Sequence, residues 1–235
     1  MRIQTQSTAV GESGWATLFR IGAVAAFVTA LITLIQIVVF AVSPPPSFQP
    51  VPSATMAIFN LLRSNPLLGF VELGGLMLLD YVLIVVVFLA LYVALRRLQP
   101  VLVLLGTVLA LVAVTAYFSA NPALAMLALA RQYPVAGTVA AGQAVLAAFQ
   151  GSAFLVHYLL MGVAGLLVSF AMLRSTVFSR ATAITGLLQG AMMLVPSTFG
   201  TVGMVFVLGS LVPFVVWFML VGRRLLRLAR ESSSA

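Results

Sequence analysis

Six stretches of this chain are long and apolar enough to cross a lipid bilayer, and that pattern limits the fold more than any single motif does. They cover roughly residues 17–42, 73–95, 101–118, 153–173, 181–197 and 202–221. None alternates apolar and polar positions as a membrane strand must. An open strand would also leave its backbone groups unpaired in lipid, so helices are the expected form. The fold class that follows is all-α and polytopic: a six-transmembrane-helix bundle, one domain over residues 1–235, with interfacial helices in two long outer loops. Composition points the same way. Hydrophobic residues make up 63% of the chain and charged residues 7%, where soluble domains run near 45–50% and about 25%. That balance excludes a soluble enzyme, a nucleic-acid-binding domain and a disordered chain.

The net charge of +8 comes entirely from arginine, placed singly or in pairs between the apolar runs. Such placement reports topology rather than a phosphate-binding patch, and no nucleic-acid partner is expected. With the N-terminus inside, every arginine except Arg63 and Arg131 falls in a cytoplasmic segment. The opposite orientation reverses the bias, and an odd number of spans would strand Arg223, Arg224, Arg227 and Arg230 on the wrong side. Both termini are therefore expected in the cytosol. The first run is longer than the 7–15 apolar residues of a secretory signal, and Pro44 follows its only cleavage-like site, so it is expected to stay as an anchor.

Cytoplasmic connections are short, from Arg96 to Pro100 and from Arg174 to Arg180, whereas two outer connections are long. The first opens with Pro44-Pro45-Pro46, which favours an extended segment. Ser53 is then predicted to cap a helix carrying Met56, Ile58, Phe59 and Leu62 on one face, and Asn65-Pro66 to start another. A break is predicted at Gly74-Gly75. In the second long connection, Asn121-Pro122 starts a short helix ended by Arg131 and Pro134, and a second piece over residues 138–149 leads toward Gly151.

Polar groups inside the spans are few, and each is costly enough to need a reason. Counting 1.5 Å per residue from Arg20, Arg96 and Arg174 places Gln36, Asp80 and His157 at one shared depth, about 24–26 Å from the cytoplasmic boundary. These three are the candidate ligand-binding residues, forming an outward-facing pocket under the long connections. Glu72 is expected at a solvated rim, within reach of Arg63. Gly186 and Gly190, with Gln189 between them, form a small-residue ridge expected to pack inside the bundle, where Gln189 would hydrogen-bond across the contact. Gly22, Ala26 and Ala30 repeat that pattern in the first span. Cysteine is absent and histidine occurs once, so no metal site and no cofactor are expected. No phosphate-cradling loop or nucleophile triad is present, and Glu72 and Asp80 point roughly 80° apart around one helix. The reading is not an enzyme.

Several short motifs resemble the bacterial membrane family catalogued as domain of unknown function 4386. They are Arg20-Ile21-Gly22, Leu91-Tyr92-Val93-Ala94-Leu95-Arg96-Arg97, Met126-Leu127-Ala128-Leu129-Ala130 with Gln132-Tyr133, and Ala141-Gly142-Gln143-Ala144. Gly151-Ser152-Ala153-Phe154, Met172-Leu173-Arg174-Ser175, Phe178-Ser179-Arg180 and Gly186 continue the likeness in order. The resemblance runs from about residue 17 to 228. It implies a small multi-pass protein of the bacterial cytoplasmic (inner) membrane, with no catalytic residues to carry over. The expected function is a non-enzymatic accessory or scaffold subunit, or a binder of lipid or a small apolar ligand. Its partners would be membrane lipids and other membrane-protein subunits. The alternative is a small proton- or solute-coupled transporter using the Asp80 and His157 layer.

Overall fold

The computed structural model describes residues 3–42, 49–195 and 200–233, with side chains given from residue 15 onward apart from 152, 153 and 200. Arg2, the Pro44–Pro46 run and Pro196 lie outside the described residues. All regular structure among the described residues is helical: α1 Ile3–Val42, α2 Val51–Ser64, α3 Pro66–Glu72, α4 Gly75–Leu95, α5 Pro100–Ala120, α6 Ala123–Gln132, α7 Thr138–Ala148, α8 Phe154–Leu173, α9 Arg180–Met192 and α10 Gly200–Glu231. Five stretches are long and apolar enough to cross a membrane: Trp15–Val42, Gly75–Leu95, Pro100–Gln132, Thr138–Leu173 and Thr201–Glu231. The predicted run over 181–197 instead folds as the 13-residue α9. At 1.5 Å per residue that is about 20 Å, shorter than a bilayer core of about 30 Å.

Local chemistry explains where the helices start and stop. Asn65 accepts a hydrogen bond from the Leu68 amide, and Pro66 occupies the first turn, as the sequence implied. Ser179 caps α9 by accepting from the Thr182 amide at 3.2 Å. Ser53 does not cap α2. The helix begins at Val51, and the Ser53 hydroxyl donates back to the Pro50 carbonyl at 3.0 Å. Proline at position 52 fits the first turn, so the start moves ahead of it. Gly74 breaks α3 from α4 with φ of 76°, a left-handed conformation that favours glycine. Tyr117 Oη and Asn121 Nδ2, at the end of α5, both donate to the Gly74 carbonyl at 3.3 Å and hold that break in place.

Packing runs from α1 to α4, α4 to α5, α5 to α8, α8 to α9, α9 to α10, and from α10 back to α1. Phe88, Leu91, Met161, Trp217, Phe218 and Leu225 belong to the core these helices share. Lipid tails are as apolar as these side chains, so close backbone approach rather than burial from water must hold such helices together. Gly186 and Gly190 supply it between α8 and α9. A Cβ at Gly186 would run into Ser169 Oγ and the Trp217 ring, and one at Gly190 would come within 2.9 Å of the Gly162 carbonyl.

The molecule has two distinct ends. At one, Arg20 Nη2 donates to Ser233 Oγ at 3.1 Å, Arg96 stacks over Trp15 at 4.8 Å, and Arg224 Nε donates to the Val177 carbonyl at 2.6 Å. This joins the Trp15 end of α1, both tight turns and the end of α10. At the other, α2, α3, α6 and α7 assemble a cap with its own core, built on Ile58, Phe59, Leu62, Met126, Ala130 and Leu146.

Candidate functional site

A cavity of about 360 Å³ lies at the cap end, bounded by α1, α4, α5, α8 and α10. Its wall is largely aromatic and thioether: Phe40, Phe149, Phe154, Phe214, Met77 and Met204 contribute. Leu73 belongs both to this wall and to the cap core, so the cap forms part of the enclosure. Between α7 and α8 the helix opens into one wide π turn, Phe149–Ala153, with Gly151 off helical geometry at ψ −133°. Wide turns of this kind re-aim side chains and are frequent at functional sites. Here the turn delivers Phe149 and Gln150 to the cavity wall.

Asp80 lies on that wall, only 1% exposed. It approaches Thr29 on α1, yet neither Asp80 Oδ1 nor Thr29 Oγ1 has a hydrogen-bond partner among the described residues. His157 sits level with Tyr81, behind the wall. Its Nδ1 donates to the Ala113 carbonyl at 2.8 Å, and its Nε2 is 2.6 Å from the Tyr81 hydroxyl. A carbonyl can only accept, so Nδ1 carries a proton, and in the neutral ring Nε2 accepts from Tyr81. Gln36 is buried on the α1 face that carries Thr29 and Thr33, with both amide atoms unpartnered among the described residues, and it is not on the cavity wall. Of the three predicted residues, Asp80 lines the cavity, His157 reaches the wall through Tyr81, and Gln36 lies on the α1 face between the wall residues Thr33 and Phe40 without lining the cavity itself.

Glu72 departs from the sequence reading more sharply. It is 3% exposed and lines the cavity instead of a solvated rim, because the turn at Gly74 folds the end of α3 inward. Arg63, its expected partner, stacks over the Tyr133 ring. Gln189 is buried in α9, and its amide donates along its own helix to Met193 Sδ at 2.6 Å rather than across to α8.

Sequence reasoning missed the tyrosines. Tyr81 and Tyr117 pack with ring centroids 4.4 Å apart, and each also packs on the His157 ring, at 4.6 and 5.0 Å. Tyr158 Oη lies 3.2 Å from Ser210 Oγ, whose own proton goes to the Val207 carbonyl, so Tyr158 is the donor. The signal was present in the chain: two of these tyrosines directly follow Asp80 and His157.

The site is thus a mostly apolar chamber that carries the carboxyl groups of Asp80 and Glu72 and three phenol rings whose hydroxyls are already engaged. No protein-family model, no curated protein and no solved structure matches this chain.

Proposed function

We propose that the chain is a six-span integral protein of the bacterial cytoplasmic membrane, with both termini in the cytosol. It binds an amphipathic lipid or small apolar ligand in the cavity below its cap, and it acts as an accessory or scaffold subunit rather than an enzyme. The single observation that carries this reading is the cavity, whose volume and largely apolar wall match the usual character of small-molecule sites. The kinship with domain of unknown function 4386 enters as part of the proposal, supported by the order of the shared motifs along the chain.

Six crossings are supported by the direction of the chain. The Arg20 contact with Ser233 brings the near end of the apolar stretch Trp15–Val42 of α1 beside the end of α10, as an even number of traverses would. α8 ends at the arginine-rich end and α10 returns to it, which supports reading α9 as the element that takes the chain back toward the cap. The short α9 is therefore read as the sixth crossing. Binding is favoured over transport because a permease needs a polar path to the far end. Below His157 and Tyr158, the buried face of α8 offers only Ser169, and below Asp80 that of α4 is wholly apolar.

The test is native mass spectrometry of the protein released from nanodiscs made with its own membrane lipids. The expected result is a retained amphiphile of defined mass, lost in the cavity-filling variant Val207→Trp. Wild-type and filled proteins carrying the same bulk lipid, and nothing else, would defeat the reading.

A further inference from the structure

We propose that the cavity selects amphipathic organic cations: a protonated or quaternary amine whose head sits at Asp80 against the tyrosine rings and whose tail lies along the phenylalanine and methionine wall. This deepens the ligand-binding reading above and rests on it.

The argument starts with charge placement. The chain has four acidic residues against twelve arginines, yet two of the four, Glu72 and Asp80, line this one cavity, and no arginine does. Within a low-dielectric span, a carboxylate such as that of Asp80 acts strongly on whatever enters. Donor accounting points the same way. The hydroxyls of Tyr81, Tyr117 and Tyr158 are committed to His157, the Gly74 carbonyl and Ser210, those of Ser210 and Thr33 to the Val207 and Thr29 carbonyls, and the Gln150 amide donates to the Gln49 carbonyl. The wall therefore has little to give an anionic or acceptor-rich head. What it can offer is the carboxyl group of Asp80, one of whose oxygens is fully buried and unpartnered among the described residues, and the rings of Tyr81 and Tyr117 on the cavity wall. Aromatic faces attract ammonium groups, more strongly where water is excluded. An acid beside two phenol rings, with an apolar wall beyond, complements a cationic head on a greasy tail and disfavours its anionic counterpart.

The experiment is equilibrium dialysis of the full chain in phosphatidylcholine nanodiscs, with protein-free discs as the blank. The probes share one tail: decyltrimethylammonium, decanol and decyl sulfate. The expected result is saturable binding of decyltrimethylammonium at least tenfold tighter than that of decanol, with decyl sulfate weakest. Asp80→Asn is expected to bring the cation down to the level of decanol. Should that variant fail to fold, Tyr117→Leu decides: it removes one of the two rings and is expected to lose about fivefold of the preference for the cation over decanol, and an unchanged preference would overturn the inference. Equal wild-type affinity for the cation and decanol, or an Asp80→Asn protein that still prefers the cation, would overturn the inference and leave amphiphile binding standing. No saturable binding of any probe above the blank would remove the ligand-binding reading itself.

Discussion

At the arginine-rich end the chain turns tightly, through residues 96–99 and 174–179, and its guanidinium groups rest on an indole ring, a phenyl ring and a backbone carbonyl. At the cap end the chain is long, broken into short helices, and nearly free of arginine, with Arg63 and Arg131 alone among the described residues. One end is built from charge that favours contact with water. The other is built from apolar surface and turn chemistry, and it encloses the cavity. Under the function proposed above, the same polypeptide would separate the task of being anchored from the task of holding a ligand. Gly74, the π turn and the cap core shape the enclosure at that second end.

That division can be broken most forcefully at the cap core. Phe59 is fully buried there, and Phe59→Ala is expected to cost about 3–5 kcal/mol. Hydrogen exchange in nanodiscs should then speed up across α2, α6 and α7 while the buried amides of α4 and α10 stay protected. Uniform loss of protection would mean that the two cores form one cooperative unit. A smaller effect is expected within the bundle. Gly186→Val must push aside Ser169 and Trp217, an overpacking cost of about 1–3 kcal/mol, read as a lower midpoint of thermal unfolding in detergent with the cap unaffected. Tyr81→Phe leaves His157 Nε2 without its donor and should cost about 1 kcal/mol, in keeping with hydrogen bonds measured inside membranes. A denaturant titration in mixed micelles reads that difference. Smallest of all, Arg96→Gln removes the stack on Trp15, worth about 0.5–1 kcal/mol, and should leave the number of crossings unchanged.

Much of this architecture is legible in the sequence because lipid leaves few choices. Apolar length and arginine position favour helices and their direction, and the distance from an arginine indicates depth. Asp80 and His157 do fall at one level, since Tyr81, the residue after Asp80, bonds to His157 directly. The facing of each helix is not legible in the same way. A span that is apolar all round carries no stripe to say which side meets a neighbour, and from Val82 to Leu95 α4 is such a span apart from the phenol of Tyr92. For that reason the chain does not say that Gln36, on the α1 face between the wall residues Thr33 and Phe40, is itself absent from the wall. Glu72 lies away from its expected rim because a left-handed glycine two residues later redirects the helix, a tertiary effect that hydropathy does not register. The fifth run looks longer than α9 because apolar composition continues toward Pro196 after the helix itself has ended at Met192.

The central claim is that α9 crosses, so that both tight turns and the end of α10 share the cytosolic face. The chain has no native cysteine, so single cysteine substitutions at Leu98, Thr176 and Ser233 on one end, and at Asn60 and Ala136 on the other, each report one site. The measurement is labelling of intact cells with a membrane-impermeant maleimide, before and after permeabilisation. Residues 60 and 136 are expected to react at once, and residues 98, 176 and 233 only after the membrane is opened. Labelling of residue 233 in intact cells while 98 and 176 stay shielded would show that α9 does not cross, and would contradict the account.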